Sequence, residues 1–155
     1  MHVVLVEPEI PPNTGSIARL CAATHTPLHL VGRLGFSLDD RYLRRAGLDY
    51  WPFVELHRHV DWPAFTAISS GRRLGFSARA SRPYTAIAFR TDDCLVFGAE
   101  TSGLPKTVKD DLGTDLYTIP MASPHVRSLN LANAVAVVLY EALRQLGLTR
   151  ADPAR

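Results

Sequence analysis

Cysteine, lysine and long apolar runs are all scarce in this 155-residue chain. The two cysteines, Cys21 and Cys94, are far apart in sequence and form no C-x-x-C pair. That excludes a disulfide framework and a structural zinc site, and leaves two reduced thiols packed as small hydrophobes. No apolar run approaches the roughly 18–20 residues that a membrane helix needs. The opening MHVVLVEPEI lacks the basic start and small-residue cleavage site of a signal peptide. A cytoplasmic protein without membrane or metal partners is therefore expected. G-x-G-x-x-G, a Walker loop and G-x-S-x-G are also missing, which argues against an ordinary dinucleotide, P-loop or serine-hydrolase protein. There is no repeat, no low-complexity segment and no linker. A single domain over residues 1–148 is expected, with a frayed tail over 149–155.

What is present is arginine. Fifteen of the 17 basic residues are Arg, and the net charge of +2 is uneven. Residues 33–90 carry ten arginines against five acids, while both flanks are slightly acidic. Arginine suits bidentate phosphate recognition, so this middle third is the candidate polyanion-facing surface. A genome that writes Arg for Lys would leave the same mark.

Short apolar runs alternate with helical stretches. The pattern predicts strands at His2–Val6, Leu28–Val31, Phe53–Leu56, Leu74–Ser77, Cys94–Phe97 and Leu116–Ile119. Helices are predicted from Asn13 as N-cap to Thr24, around Asp39–Ala46 behind Ser37, and from Trp62 to Ser69 behind Asp61. Two more follow, one between Pro105 and Gly113, the other from Leu129 to Leu146 with Ser128 as its cap. This is an α/β domain with a mainly parallel sheet and helices on both faces.

In such a sheet a ligand lies beyond the carboxyl ends of the strands. Three strand ends carry unusual residues. The first runs Glu7-Pro8-Glu9-Ile10-Pro11-Pro12-Asn13-Thr14-Gly15 and continues to Arg19. It sets a helix N-terminus at a strand end, a ready anion site, although Asn13 reads equally as a plain cap and Arg19 as a solvated helix charge. The second, Gly98-Ala99-Glu100-Thr101-Ser102-Gly103-Leu104-Pro105, flanks a lone carboxylate with glycines that allow close backbone approach. The third spans Ile119-Pro120-Met121 to Ser128-Leu129-Asn130 and Asn133. Asn130 and Asn133 share a helix face and need partners if buried. His125 lies within this third loop, whereas His57 and His59 are expected to face solvent.

Taken in order, the three segments resemble the three motifs of the SPOUT class of RNA methyltransferases, in its tRNA/rRNA 2′-O-ribose branch. Asn13-x-Gly15-x-x-x-Arg19 is similar to the first, Phe97-Gly98-x-Glu100-x-x-Gly103-Leu104-Pro105 to the second, and Ile119-Pro120-Met121 with Ser128-Leu129-Asn130-Leu131-Ala132-Asn133 to the third. The segments from Glu7 to Asn13 and from Arg44 to Tyr50 narrow the likeness to the small subfamily that methylates the wobble nucleotide, position 34, of leucine tRNAs.

The resemblance implies S-adenosylmethionine as cofactor, a C-terminal trefoil knot and a homodimer with the last helix, including Tyr140, in its interface. It places the cofactor against Ser77, Gly98, Gly103, Ile119, Met121, Ser128 and Leu129. It makes Arg19, Asn13, Glu100 and Asn130 catalytic, with Glu100 and Asn130 orienting Arg19 or the ribose. Strand one starts at residue 2 and the chain ends soon after the last helix, so the catalytic domain is expected to grip the anticodon stem-loop itself. Arg41, Arg44, Arg45 and Arg127 are the phosphate-binding candidates. Two other readings stay open: methylation at another tRNA or rRNA position, and an RNA binder of this fold that does not catalyse.

Overall fold

The computed structural model describes residues 1–38 and 50–148. Within them, seven parallel strands form one sheet: β1 (His2–Val6), β2 (Leu28–Val31), β3 (Leu56–His59), β4 (Arg73–Phe76), β5 (Arg82–Pro83), β6 (Cys94–Phe97) and β7 (Leu116–Thr118). Their spatial order is β3-β2-β1-β6-β4-β7-β5. Among the described residues four helices flank them: α1 (Pro11–Thr24), α2 (Trp62–Thr66), α3 (Lys106–Leu112) and α4 (Leu131–Gln145). Single 3-10 turns occupy Trp51–Phe53 and Tyr84–Ala86.

The apolar strands are buried on both faces, which is why they read as unbroken runs rather than alternating ones. Val3 and Leu5 of β1, with Leu95 and Phe97 of β6, pack against Ile17, Ala18 and Cys21 of α1 and Val135, Val138 and Leu139 of α4. The intervening Val4, Val6, Cys94 and Val96 turn to the opposite layer, built from Phe65 of α2 and Val108 and Leu112 of α3. Period two along each strand thus sorts one sequence into two cores. Both cysteines are free and buried within these layers.

Several boundaries differ from the sequence reading. Ile10, not Asn13, precedes the first turn of α1. The helix opens on Pro11 and Pro12, whose missing N–H groups would have no helical partner there anyway, and Asn13 lies inside it, buried. The expected strand at 53–56 begins only at Leu56, because Pro52 sits in a 3-10 turn and cannot donate to a ladder. β5 was missed. It is two residues long and pairs with β7 alone, at the edge where a proline is tolerated. Asn130, not Ser128, caps α4: its Oδ1 accepts from Ala132 N at 2.9 Å. Asp61 does cap α2, accepting from Ala64 N at 2.8 Å. The helix expected around 39–46 lies outside the described residues, as does the tail from 149.

The expectation that His57 and His59 face solvent fails for His59, which is only 9% exposed. His2, His29, His57 and His59 crowd onto the α2 face of the sheet. His2 Nδ1 lies 3.1 Å from His29 Nε2, and His29 Nδ1 lies 2.9 Å from His59 Nε2. His57 stacks on His29 with ring centroids 4.8 Å apart, and Phe65 meets His29 and His59 edge-on. In each N···N bond one ring donates and the other accepts, so one nitrogen of every pair is unprotonated and the bonded rings cannot all carry charge. Among the described residues no group of three or more His, Cys, Asp or Glu is arranged to hold a metal ion.

Burial, with the neighbouring imidazoles, depresses His29 to about 3 and also lowers His59. Burial and the N-terminal ammonium lower His2, against the raising effect of Glu55 and Asp92. A depressed histidine contributes its full stability above the unfolded value near 6.5 and loses it as the pH falls below that. At about 1.4 kcal/mol per pH unit, the depression of His29 and its coupled neighbours corresponds to a loss on the order of 2 kcal/mol by pH 5. The melting temperature should therefore drop between pH 7 and pH 5, and drop less in His29→Leu. Parallel pH profiles for the two proteins, followed by circular dichroism, would contradict this account.

Candidate functional site

In the sheet, β1, β6, β4 and β7 are consecutive neighbours. Their carboxyl ends point the same way because every pairing is parallel. The segments that leave them therefore converge, and they enclose one cavity of about 850 Å³. Ile10 and Asn13 enter from β1, Ser77 and Arg79 from β4, residues 98–104 from β6, and Ile119, Met121 and 127–131 from β7.

The side chains that join these segments form one directed chain. Glu100 accepts from Glu9 N at 2.8 Å, from Ile10 N at 3.3 Å and from Asn13 Nδ2 at 3.0 Å. A carboxylate only accepts, so Asn13 must turn its amino group to Glu100 and its oxygen elsewhere. That oxygen accepts from Asn130 Nδ2 at 2.9 Å. Asn130 is then left with its own oxygen for the first turn of α4, where Ala132 N and Asn133 N donate to it. Glu9 returns the contact, its Oε2 accepting from Thr101 N at 3.1 Å and Thr101 Oγ1 at 2.7 Å. Three loops separated by up to 117 residues are locked to one another through these bonds.

The two glycines of the β6 loop have different tasks. A Cβ on Gly98 would lie 2.1 Å from Gly103 C, so Gly98 lets its own loop fold back rather than making room for a ligand. Ala99 and Gly103 pair across that fold, with Gly103 N donating to Ala99 O at 2.8 Å. Gly103 has φ +71°, and its Cβ position is open space.

All seven residues expected around a cofactor line this cavity: Ser77, Gly98, Gly103, Ile119, Met121, Ser128 and Leu129. Asn13, Glu100, Asn130 and Arg127 line it too. His125 does not. Glu100 and Asn130 orient Asn13 rather than Arg19. Arg19 is six residues beyond Asn13, about 9 Å along the helix, and lies outside the cavity on the exposed side of α1. Its Nη2 donates to Tyr50 Oη at 3.3 Å, and its guanidinium carbon lies 4.6 Å from the centre of the Tyr50 ring. Arg41, Arg44 and Arg45 lie outside the described residues. Tyr140 projects from α4, half exposed, one helical turn from the exposed Val137.

Sequence reasoning missed the Glu9–Thr101 clasp, the place of Arg79 and Lys109 on the cavity lining, and Tyr50 as the partner of Arg19. Glu9 stood in view in the first motif, but nothing local ties it to a threonine 92 residues on.

The chain belongs to the SpoU rRNA Methylase family, whose model matches residues 1–140. It is similar to the tRNA (cytidine(34)-2′-O)-methyltransferase of Methylovorus glucosotrophus, with 50% identity over 145 residues, covering 92% of this chain and 94% of that protein. Among solved structures, one described as giving structural insights into the 2-OH methylation of C/U34 on tRNA superposes with a TM-score of 0.89. It is 48% identical and covers 94% of this chain and 95% of its own. The SpoU methyltransferase AviRb of Streptomyces viridochromogenes, in complex with the cofactor AdoMet, gives a TM-score of 0.83 at 26% identity. That match covers 94% of this chain and 60% of AviRb.

The directed chain makes a sharp prediction. Asn13→Asp changes almost no volume but puts an oxygen where the amino group donates to Glu100, while its other oxygen can still accept from Asn130. It should destabilise the protein by about 1–3 kcal/mol in urea unfolding. The loss should be larger at pH 8 than at pH 5, since a proton shared by the two carboxyls restores the missing donor. Equal losses at both pH values would mean that bond direction is not what matters.

Proposed function

We propose that this protein transfers a methyl group from S-adenosylmethionine to the ribose 2′-oxygen of the wobble nucleotide, position 34, of tRNA, and that leucine tRNAs are its substrates. The observation that carries the reading is the convergence of the three motif loops on one cavity, held by Glu100, Asn13 and Asn130. A likeness spanning nearly all of both chains to a protein named for that reaction supports it.

The cavity residues fit the cofactor. Leu104, Ile119 and Leu129 supply apolar lining for a base, and Ser77 and Ser128 supply hydroxyls. Its volume lies within the roughly 300–1,000 Å³ typical of small-molecule sites. When bound, the cofactor supplies a methyl group already activated on a sulfonium. What remains for this chain is to position the ribose and to manage the charge that develops on its oxygen. Glu100 carries three hydrogen bonds from its own protein, so it acts by fixing Asn13 and the loop after β1. Asn130 sets the start of α4 against the same Asn13. Arg19 lies outside the cavity on the exposed side of α1, and in this reading it supplies the positive charge to the tRNA that covers that side. A guanidinium stays protonated, so it stabilises a developing oxyanion or holds a phosphate beside it rather than accepting the proton.

The active unit in this reading is a homodimer formed through α4, with Val137 and Tyr140 as its exposed apolar stripe. Residues 1–148 act as one catalytic domain, with the trefoil knot of the SPOUT class in the C-terminal part. Among the described residues no helix is long and apolar enough to cross a membrane, and we place the enzyme in the cytoplasm with its tRNA.

The test is transfer of labelled methyl to tRNA lacking this modification, followed by mapping of the product nucleotide. A 2′-O-methyl group at position 34 of leucine tRNAs is expected. Label at another position, or cofactor binding without transfer, would overturn the assignment. Arg19→Ala should abolish transfer while the cofactor still binds in calorimetry. Lost cofactor binding would remove Arg19 from the catalytic role. Changing Arg41, Arg44 and Arg45 together to Ala should weaken tRNA binding and reduce its salt dependence, by up to one phosphate contact per arginine lost. An unchanged salt slope would exclude those three from the interface.

A further inference from the structure

Arg19 is the cation assigned above to the reacting ribose, and it is held by a neutral group. Among the described residues it takes part in no ion pair. Its guanidinium meets the Tyr50 hydroxyl at 3.3 Å and the Tyr50 ring face at 4.6 Å. Tyr50 is itself well placed to hold something. Its carbonyl accepts from Phe53 N at 2.9 Å, which starts the 3-10 turn Trp51–Phe53. Trp51, inside that turn, packs against the core on the α1 side of the sheet. The Tyr50 backbone is thereby anchored beside α1, while the residue remains 39% exposed with its ring over the guanidinium.

The choice of partner has a physical consequence. A carboxylate would hold Arg19 more tightly, but it would cancel the charge that an oxyanion or phosphate has to meet. An aromatic face and a hydroxyl restrict the same side chain and leave its full charge available. An exposed arginine otherwise samples many rotamers, and misplacing a reacting group by about 1 Å costs up to 10²-fold in rate.

We propose that Tyr50 is a positioning residue for Arg19, holding the guanidinium in place without neutralising it. The proposal rests on the methyl-transfer reading above and adds a residue to it. It requires the ring more than the hydroxyl, because the ring face covers the guanidinium and the 3.3 Å hydrogen bond is long.

The test uses the full-length protein in four forms besides wild type: Tyr50→Phe, Tyr50→Leu, Arg19→Lys, and Arg19→Lys with Tyr50→Leu. Under saturating tRNA and cofactor, Tyr50→Leu should lower kcat about tenfold, with cofactor affinity and tRNA KM unchanged. Tyr50→Phe should recover most of that loss. The double variant should be no slower than Arg19→Lys alone, since both changes remove one interaction. A second readout needs no turnover: the Arg19 Nε–H resonance should carry a ring-current shift that Tyr50→Leu abolishes and Tyr50→Phe keeps. Wild-type kcat in Tyr50→Leu, an effect confined to KM, additive losses in the double variant, or no ring-current shift would each overturn the proposal. If the wild-type protein transfers no methyl while the ring-current shift is intact, the functional reading itself falls, and this proposal with it.

Discussion

Glu100 can only accept hydrogen bonds, and the geometry of the site follows from that. Its oxygens take the backbone N–H groups of Glu9 and Ile10 and the amide of Asn13, so the loop after β1 has one way to lie against the loop after β6. The orientation of Asn13 then dictates that of Asn130, and Asn130 in turn caps α4. A choice made at one carboxylate passes through two amides to the start of the longest helix, 15 residues in length. Hydrogen-bond direction, rather than the number of contacts, gives the cavity one shape.

The sheet supplies the frame in which such a chain is possible. Because β1, β6, β4 and β7 are parallel neighbours, their exits lie side by side although they come from distant parts of the sequence. Buried on both faces, these strands hold the loop bases rigidly, so the polar network spends its bonds on orientation rather than on keeping the loops together. The far edge of the sheet shows the opposite economy. There, four histidines fill part of the α2 face, and rings that bond to one another cannot all be protonated. A polar residue type covers an apolar role and brings acid sensitivity with it.

The pairing of Arg19 with Tyr50 belongs to the same logic of directed contacts. Asn13 and Arg19 both lie on α1, yet one is fixed into the cavity wall and the other stays outside it on an aromatic rest. Helix geometry separates them, since six residues carry the chain well past a full turn. The spacing that makes the motif recognisable therefore does not make its residues neighbours.

Much of this was legible along the chain. Short apolar runs announced the parallel sheet, and the loops that carry Asn13, Glu100 and Asn130 stood out by glycine, proline and amide content. Helix caps were harder to read, because Ser128 and Asn130 are equally good N-caps and only the demand of Asn13 for a donor decides between them. Strand β3 was read at 53–56 rather than at Leu56–His59, because its buried face is written in histidine rather than valine. The Glu9–Thr101 clasp and the Tyr50 rest left no local mark at all. Sequence by itself determined the elements, the strand ends that carry chemistry and the charges available there, since these follow from periodicity and residue type. Only the tertiary structure decided which of those residues meet. Bond direction and strand order act between segments up to 117 residues apart, where no local pattern reaches.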